Sequence, residues 1–126
     1  MPDFKKYFSI PADPETLFAA LTFQPTIELW TGSPAVFKLE KEAEFSMWDG
    51  NIVGQLLDFE QDRMLTQEWF FGETDHPSIV TLKLHPDKKG TSLEIRHTNI
   101  PEEAYEDIVG GWEEMYIKSL QDFYRE

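Results

Sequence analysis

Three histidines, His76, His85 and His97, are the first side chains to weigh for chemistry, in a chain without cysteine. They lie far apart and lack the HExxH spacing that sets two imidazoles on one helix face, so no metal site is expected. His85 falls beside a turn and is expected to face outward. His97, in "TSLEIRHTNI", has the strand parity of Leu93 and Ile95 and is expected to face the apolar side. There it serves either as a hydrogen-bonded structural histidine or as a group that orients a ligand or moves a proton. Ser9, Ser33, Ser46, Ser78, Ser92 and Ser119 sit in ordinary strand, turn or helix contexts. No GxSxG elbow is present, and no nucleophilic triad is expected. Glycine patterns that cradle phosphates are absent as well. Glu44, Asp58, Glu68 and Glu94 fall by parity on solvent-facing strand positions. With no acid directed inward, the acid–base pair of a hydrolase or cyclase is missing. A non-enzymatic protein without a cofactor is the expectation.

Aromatic content is the stronger signal. Aromatics make up 14% of the chain, with ten Phe and four Trp, too many for a disordered polymer. Trp30 ends a short helical stretch, and Phe45 and Met47 share one strand face. Gln67, Trp69 and Phe71 share the face of the next strand but one. Leu82, Ile95 and His97 continue that surface, and Trp112, Met115 and Tyr116 recur at helical steps near the C-terminus. Brought together, these twelve residues enclose either a solid core or an apolar pocket. Gln67, His97, Tyr116 and the Trp nitrogens would be the polar handles of such a pocket. Met47 and Met115 would make its lining adaptable.

The elements that must position this set follow from the punctuation of the chain. "FKKYFSI" suits a strand that Pro11 stops. Asp13 then reads as an N-cap, Pro14 as the first helical residue and Glu15 as a first-turn acid, with Leu17, Phe18 and Leu21 as the apolar stripe. Pro25 opens a second short helix, "PTIELW", that ends before "TGSP". "EAEFSMW" sets Phe45 and Met47 on one face and Trp48 on the other, and Asp49-Gly50 predicts a tight two-residue hairpin. "NIVGQLLDF", "MLTQEWFFG", "SIVTLKLH" and "TSLEIRHTNI" follow as alternating strands. Pro101 ends the sheet, and residues 101–126 read as one long helix. Its expected inward stripe is Ile108, Trp112, Met115, Tyr116, Leu120 and Phe123. Gly110 and Gly111 interrupt that helix at a cost of roughly 0.5–1 kcal/mol each. They are expected to form a notch where backbone and sheet approach, or alternatively a thin wall at a cavity mouth. Helices segregated to one face of an antiparallel sheet define an α+β fold.

At 126 residues the chain reads as a single domain over 1–126. Its net charge of −13 repels nucleic acid and anionic lipid, and no Lys/Arg cluster offsets it. "MPDFKKYFSI" lacks the apolar core of a signal peptide, and no apolar run is long enough to span a membrane. A cytoplasmic location is expected.

The chain resembles the helix-grip, START-like (SRPBCC) superfamily that includes the birch-pollen allergen fold. Within it, the resemblance is to the group of activator-of-heat-shock-protein-90-ATPase homologues. "SIPADPETLFAAL", "IELW", "FSMWDGNIVGQLLDF", "MLTQEWFF", "IRHTNIPEE" and "GGWEEMYIKSLQDF" carry it, in that order over the whole length. The resemblance implies a curved antiparallel sheet wrapped around the C-terminal helix, with two short helices between the first and second strands. It also implies a cavity between sheet and helix, where many relatives hold apolar ligands. Binding of an apolar or amphipathic small molecule there is the primary expectation. A chaperone-associated or other protein-interaction module, with a chaperone or homodimer contact, is the alternative. A cyclase or hydrolase acting through His97 is the third.

Overall fold

The computed structural model describes residues 2–72 and 76–125. β1 (Phe4–Ile10) leads into α1 (Pro14–Thr22), whose start is fixed as the sequence predicts. The Thr16 N–H donates to Asp13 Oδ1 at 2.8 Å, and Pro14 stands in the first turn, where its missing N–H costs nothing. This bond holds the Asp13 carboxyl below its ordinary range. α2 (Gln24–Thr31) follows at once and stops at Gly32, whose φ of 71° is a left-handed cap. Trp30 ties the two helices together, its Nε1–H donating to the Ala20 carbonyl at 2.8 Å.

The remaining strands are β2 (Glu44–Met47), β3 (Ile52–Glu60), β4 (Met64–Trp69), β5 (Ser78–Asp87) and β6 (Gly90–Thr98). They form one curved antiparallel sheet in the order β1-β6-β5-β4-β3-β2. First and last strands therefore pair, from Phe4 opposite His97 to Ile10 opposite Thr91. Period-two alternation sends Leu65, Val80, Leu82, Leu93 and Ile95 to the concave face, where each is fully buried. Full burial of one such side chain is worth about 1.5–3 kcal/mol. One extra residue in β3, between Leu56 and Asp58, shifts its register against β4 and bends the strand. Gly54, on the concave side of β3, has Phe45 and Trp69 as cross-strand neighbours. A Cβ there would collide with the Glu68 carbonyl and lie 3.0 Å from the Phe45 ring.

The hairpin between β2 and β3 departs from the sequence expectation. Met47 pairs with Ile52, so the loop holds four residues, not two. Trp48, Asp49 and Gly50 all adopt positive φ, at 50°, 53° and 92°. A left-handed conformation is costly for a bulky residue such as Trp48. It leaves the strand alternation at that point, and Trp48 turns inward onto Trp30, with ring centroids 5.5 Å apart. Parity had placed it on the outer face.

The C-terminal helix is also not uniform. A 3₁₀ turn at Glu102–Ala104 leads into α3 (Tyr105–Gly111), a π-helical turn (Trp112–Tyr116) and α4 (Ile117–Tyr124). In the π turn the Ile117 N–H bonds back five residues, to the Trp112 carbonyl. The extra residue rotates the following face by about 100°. Ile108 before it, Trp112 and Tyr116 at its two ends, and Ile117 and Leu120 after it pack into the core. Met115 and Phe123, expected inward from an unbroken 3.6-residue period, are instead 47% and 40% exposed. No helix among the described residues is long and apolar enough to cross a membrane.

Candidate functional site

His97 lies on the concave face near the end of β6, between Phe4 of β1 and Val80 of β5, with no solvent exposure. Its Nδ1 accepts from the Trp112 Nε1–H at 3.1 Å, and its Nε2 lies 2.7 Å from Ser78 Oγ. An indole nitrogen can only donate, so Nδ1 carries the lone pair and Nε2 the proton. The bonds then run one way, from Trp112 to His97 to Ser78, whose hydroxyl donates to the Thr98 carbonyl at 3.3 Å. Burial holds the His97 imidazole down at about 4, against an opposing pull from Asp3. The ring is neutral at physiological pH.

This polarity decides what the Ser78–His97 pair can do. A serine nucleophile needs an imidazole whose lone pair faces its hydroxyl, with the other ring nitrogen donating to a carboxylate. Here both directions are reversed, and the third group is an indole. Ser78 and His97 make a structural brace joining β5, β6 and the π turn.

Two of the other polar handles, Trp69 and Gln67, pair with each other. Trp69 Nε1–H donates to Gln67 Oε1 at 3.0 Å, and Gln67 is 2% exposed. Trp69 stacks on Trp112, with centroids 4.8 Å apart and planes at 20°, and Trp112 packs on Tyr116 at 4.6 Å. Trp30 and Trp48 close on the other side of Tyr116, at 5.2 and 5.6 Å. Burial raises the Tyr116 phenol well above its ordinary value. Phe45, Met47, Leu82 and Ile95 fill the space behind. Thus Trp30, Phe45, Met47, Gln67, Leu82, Ile95 and His97 lie packed in the interior.

The other five expected site residues, Trp69, Phe71, Trp112, Met115 and Tyr116, line a cleft of about 360 Å³ at the mouth of the grip. Trp48, Asn51, Ile52 and Val53 of the β2–β3 hairpin form one wall. Asp107, Ile108 and Gly111 form the opposite helical wall, and Phe70 closes the end of β4. Parity could not find Trp48, because its inward turn comes from the left-handed loop. The adjacent glycines were the sequence signal for the helical wall. A Cβ on Gly110 or Gly111 would meet nothing within 4 Å, which removes the expected packing notch. Gly111 borders open space in the cleft.

One acid on the convex face also departs from expectation. Glu94 does project from the outer face of the sheet, but it is only 8% exposed. His85 Nε2 approaches Glu94 Oε1 at 2.9 Å, and Tyr7 stands opposite it on β1. The His85 bond, against some desolvation, holds its carboxyl below the ordinary range. His85 itself is exposed, as expected.

Comparison with known proteins places this geometry. Residues 11–124 match the family model described as Activator of Hsp90 ATPase homolog 1-like protein. The "Activator of 90 kDa heat shock protein ATPase homolog 1" of Mus musculus is 27% identical over 110 residues, covering 86% of this chain but 32% of its own length. The chain therefore spans about a third of that relative. An HSP90 activator from Plasmodium falciparum superposes with a TM-score of 0.86 at 23% identity, covering 96% of this chain and 94% of that one. The Aha1 dimer from Colwellia psychrerythraea gives 0.81 at 14% identity, with 97% and 95% covered. Both structures share the helix-grip fold. This chain belongs to the Activator of Hsp90 ATPase homolog 1-like family.

Proposed function

We propose that this chain is a protein-interaction domain that binds an Hsp90-type chaperone and raises its ATPase rate. The observation that carries the reading is family membership across residues 11–124. The relatives named as Hsp90 ATPase activators supply the partner and the direction of the effect. The interior agrees with such a role, because Gln67, Ser78, His97 and the Trp69 and Trp112 indoles are taken up in structural hydrogen bonds. The test is a titration of this chain into the purified chaperone at low and moderate salt, reading ATPase rate and binding together. A saturable rise in rate with matching binding is expected. An unchanged rate with no binding at low salt would remove the reading. Self-association, the other partner expectation, is read by light scattering on the same samples.

A second reading is favoured by the cleft. Its volume, about 360 Å³, lies within the range of small-molecule sites, and its walls are mainly apolar and aromatic. On this reading an apolar or amphipathic molecule binds at the mouth, not in the filled interior. Tryptophan fluorescence reports it directly, since Trp48, Trp69 and Trp112 all line the cleft. A flat response across lipids, flavonoids and aromatic amines and acids would dismiss it.

A further inference from the structure

The cleft has a chemical bias that its shape alone does not reveal. Among its described lining residues Asp107 is the one charged group, and Lys, Arg and His are missing. Asp107 joins none of the ion pairs formed among the described residues, so its charge is not cancelled locally. The same cleft is lined by the stacked rings of Trp69 and Trp112 and by Phe71 and Tyr116. Aromatic faces attract cations and repel anions. The net charge of −13 adds a field of the same sign.

Two further features show that this opening is built at a cost. Gly111 gives up helix stability, and a Cβ on it would project into open space beside the cleft. The π turn begins at the next residue and presents Trp112, Met115 and Tyr116 together to the same cleft. Single π turns of this kind recur at functional sites.

We propose that the mouth cleft binds a small organic cation, with an aromatic or apolar body against Trp69 and Trp112 and an ammonium group facing Asp107. The inference rests on the second reading above and names its ligand class. Three probes of one skeleton test it: phenylbutylammonium, phenylbutanol and phenylbutyrate, titrated against the whole chain by tryptophan fluorescence and by NMR of the indole N–H signals. The expected order is ammonium, then alcohol, then carboxylate, with about tenfold between the two ions. Asp107→Asn, a change on an exposed helix surface, is expected to weaken the ammonium probe about threefold and leave the alcohol unchanged. The unchanged alcohol also shows that the variant has kept its fold. Equal affinities, or a preference for the carboxylate, would overturn the cation assignment while keeping a ligand site. No response to any of the three would overturn the ligand reading itself.

Discussion

His97 carries the most information of any single residue. Its strand parity, shared with Leu93 and Ile95, was enough to send it inward. Its chemistry was not legible, because that depends on Trp112, a residue from another element that fixes the tautomer from outside the strand. The arrangement predicts a Nε2–H imidazole that stays neutral until well below pH 6.5, observable by nitrogen-15 NMR. A Nδ1–H tautomer would contradict the assigned bond direction. Stability follows from the same group. Its folded pKa of about 4 lies below the unfolded value of 6.5, so between these the unfolded chain binds more protons. Stability is therefore fully present above pH 6.5 and falls as acid is added, by about 3 kcal/mol once pH reaches 4. Loss from the Glu94 carboxyl begins only near its ordinary value of 4.5, so the upper part of the window isolates the histidine. Urea midpoints of the wild type should decline from pH 6.5 to about 5, and those of His97→Gln should stay level. Parallel declines in both would assign the slope elsewhere. Glu94 shows the limit of parity in the other direction. Glu94 lies on the outer face, as its parity requires, but Tyr7 and His85, from neighbouring strands, cover it there.

Among the elements, β1, α1, α2 and the order of the five later strands were legible because each is written locally, in caps, prolines and alternation. What the sequence concealed was phase. The four-residue β2–β3 loop reverses Trp48, and the π turn moves the inward face of the C-terminal helix by one residue. Neither leaves a periodic signature, since each is a short insertion of one or two residues into a period. The glycines sharpen this point. With open space at both Cβ positions, Gly110→Ala and Gly111→Ala should each stabilise the fold by roughly 0.5–1 kcal/mol through helix propensity. Only Gly111 lines the cleft, so only its alanine variant should weaken a bound probe. Thermal melts and probe titrations on the two variants check both halves, and destabilisation by either alanine would restore the notch. Gly54 is the opposite case. Its alanine variant drives a methyl group into the Glu68 backbone and should cost about 2–3 kcal/mol in a denaturant titration. A loss near zero would show that β3 and β4 can separate without penalty.

For the whole molecule, the twelve residues that the sequence grouped into one cavity divide into two populations. Seven complete a sealed interior, and five open onto a cleft at its edge. Aromatic enrichment predicts convergence, but it is silent on whether converging rings leave space. Mutual pairing bears on that, within β4 for Trp69 with Gln67 and between β6 and the π turn for His97 with Trp112. On the proposed function the molecule acts through its surface, with the interior as a rigid support. NMR of this chain titrated with an Hsp90-type chaperone tests that claim most directly. The prediction is that surface amides shift while the Trp112 indole N–H and the His97 ring signals stay where they are. Unperturbed spectra at excess chaperone, or movement of the Trp112 and His97 signals together, would contradict it.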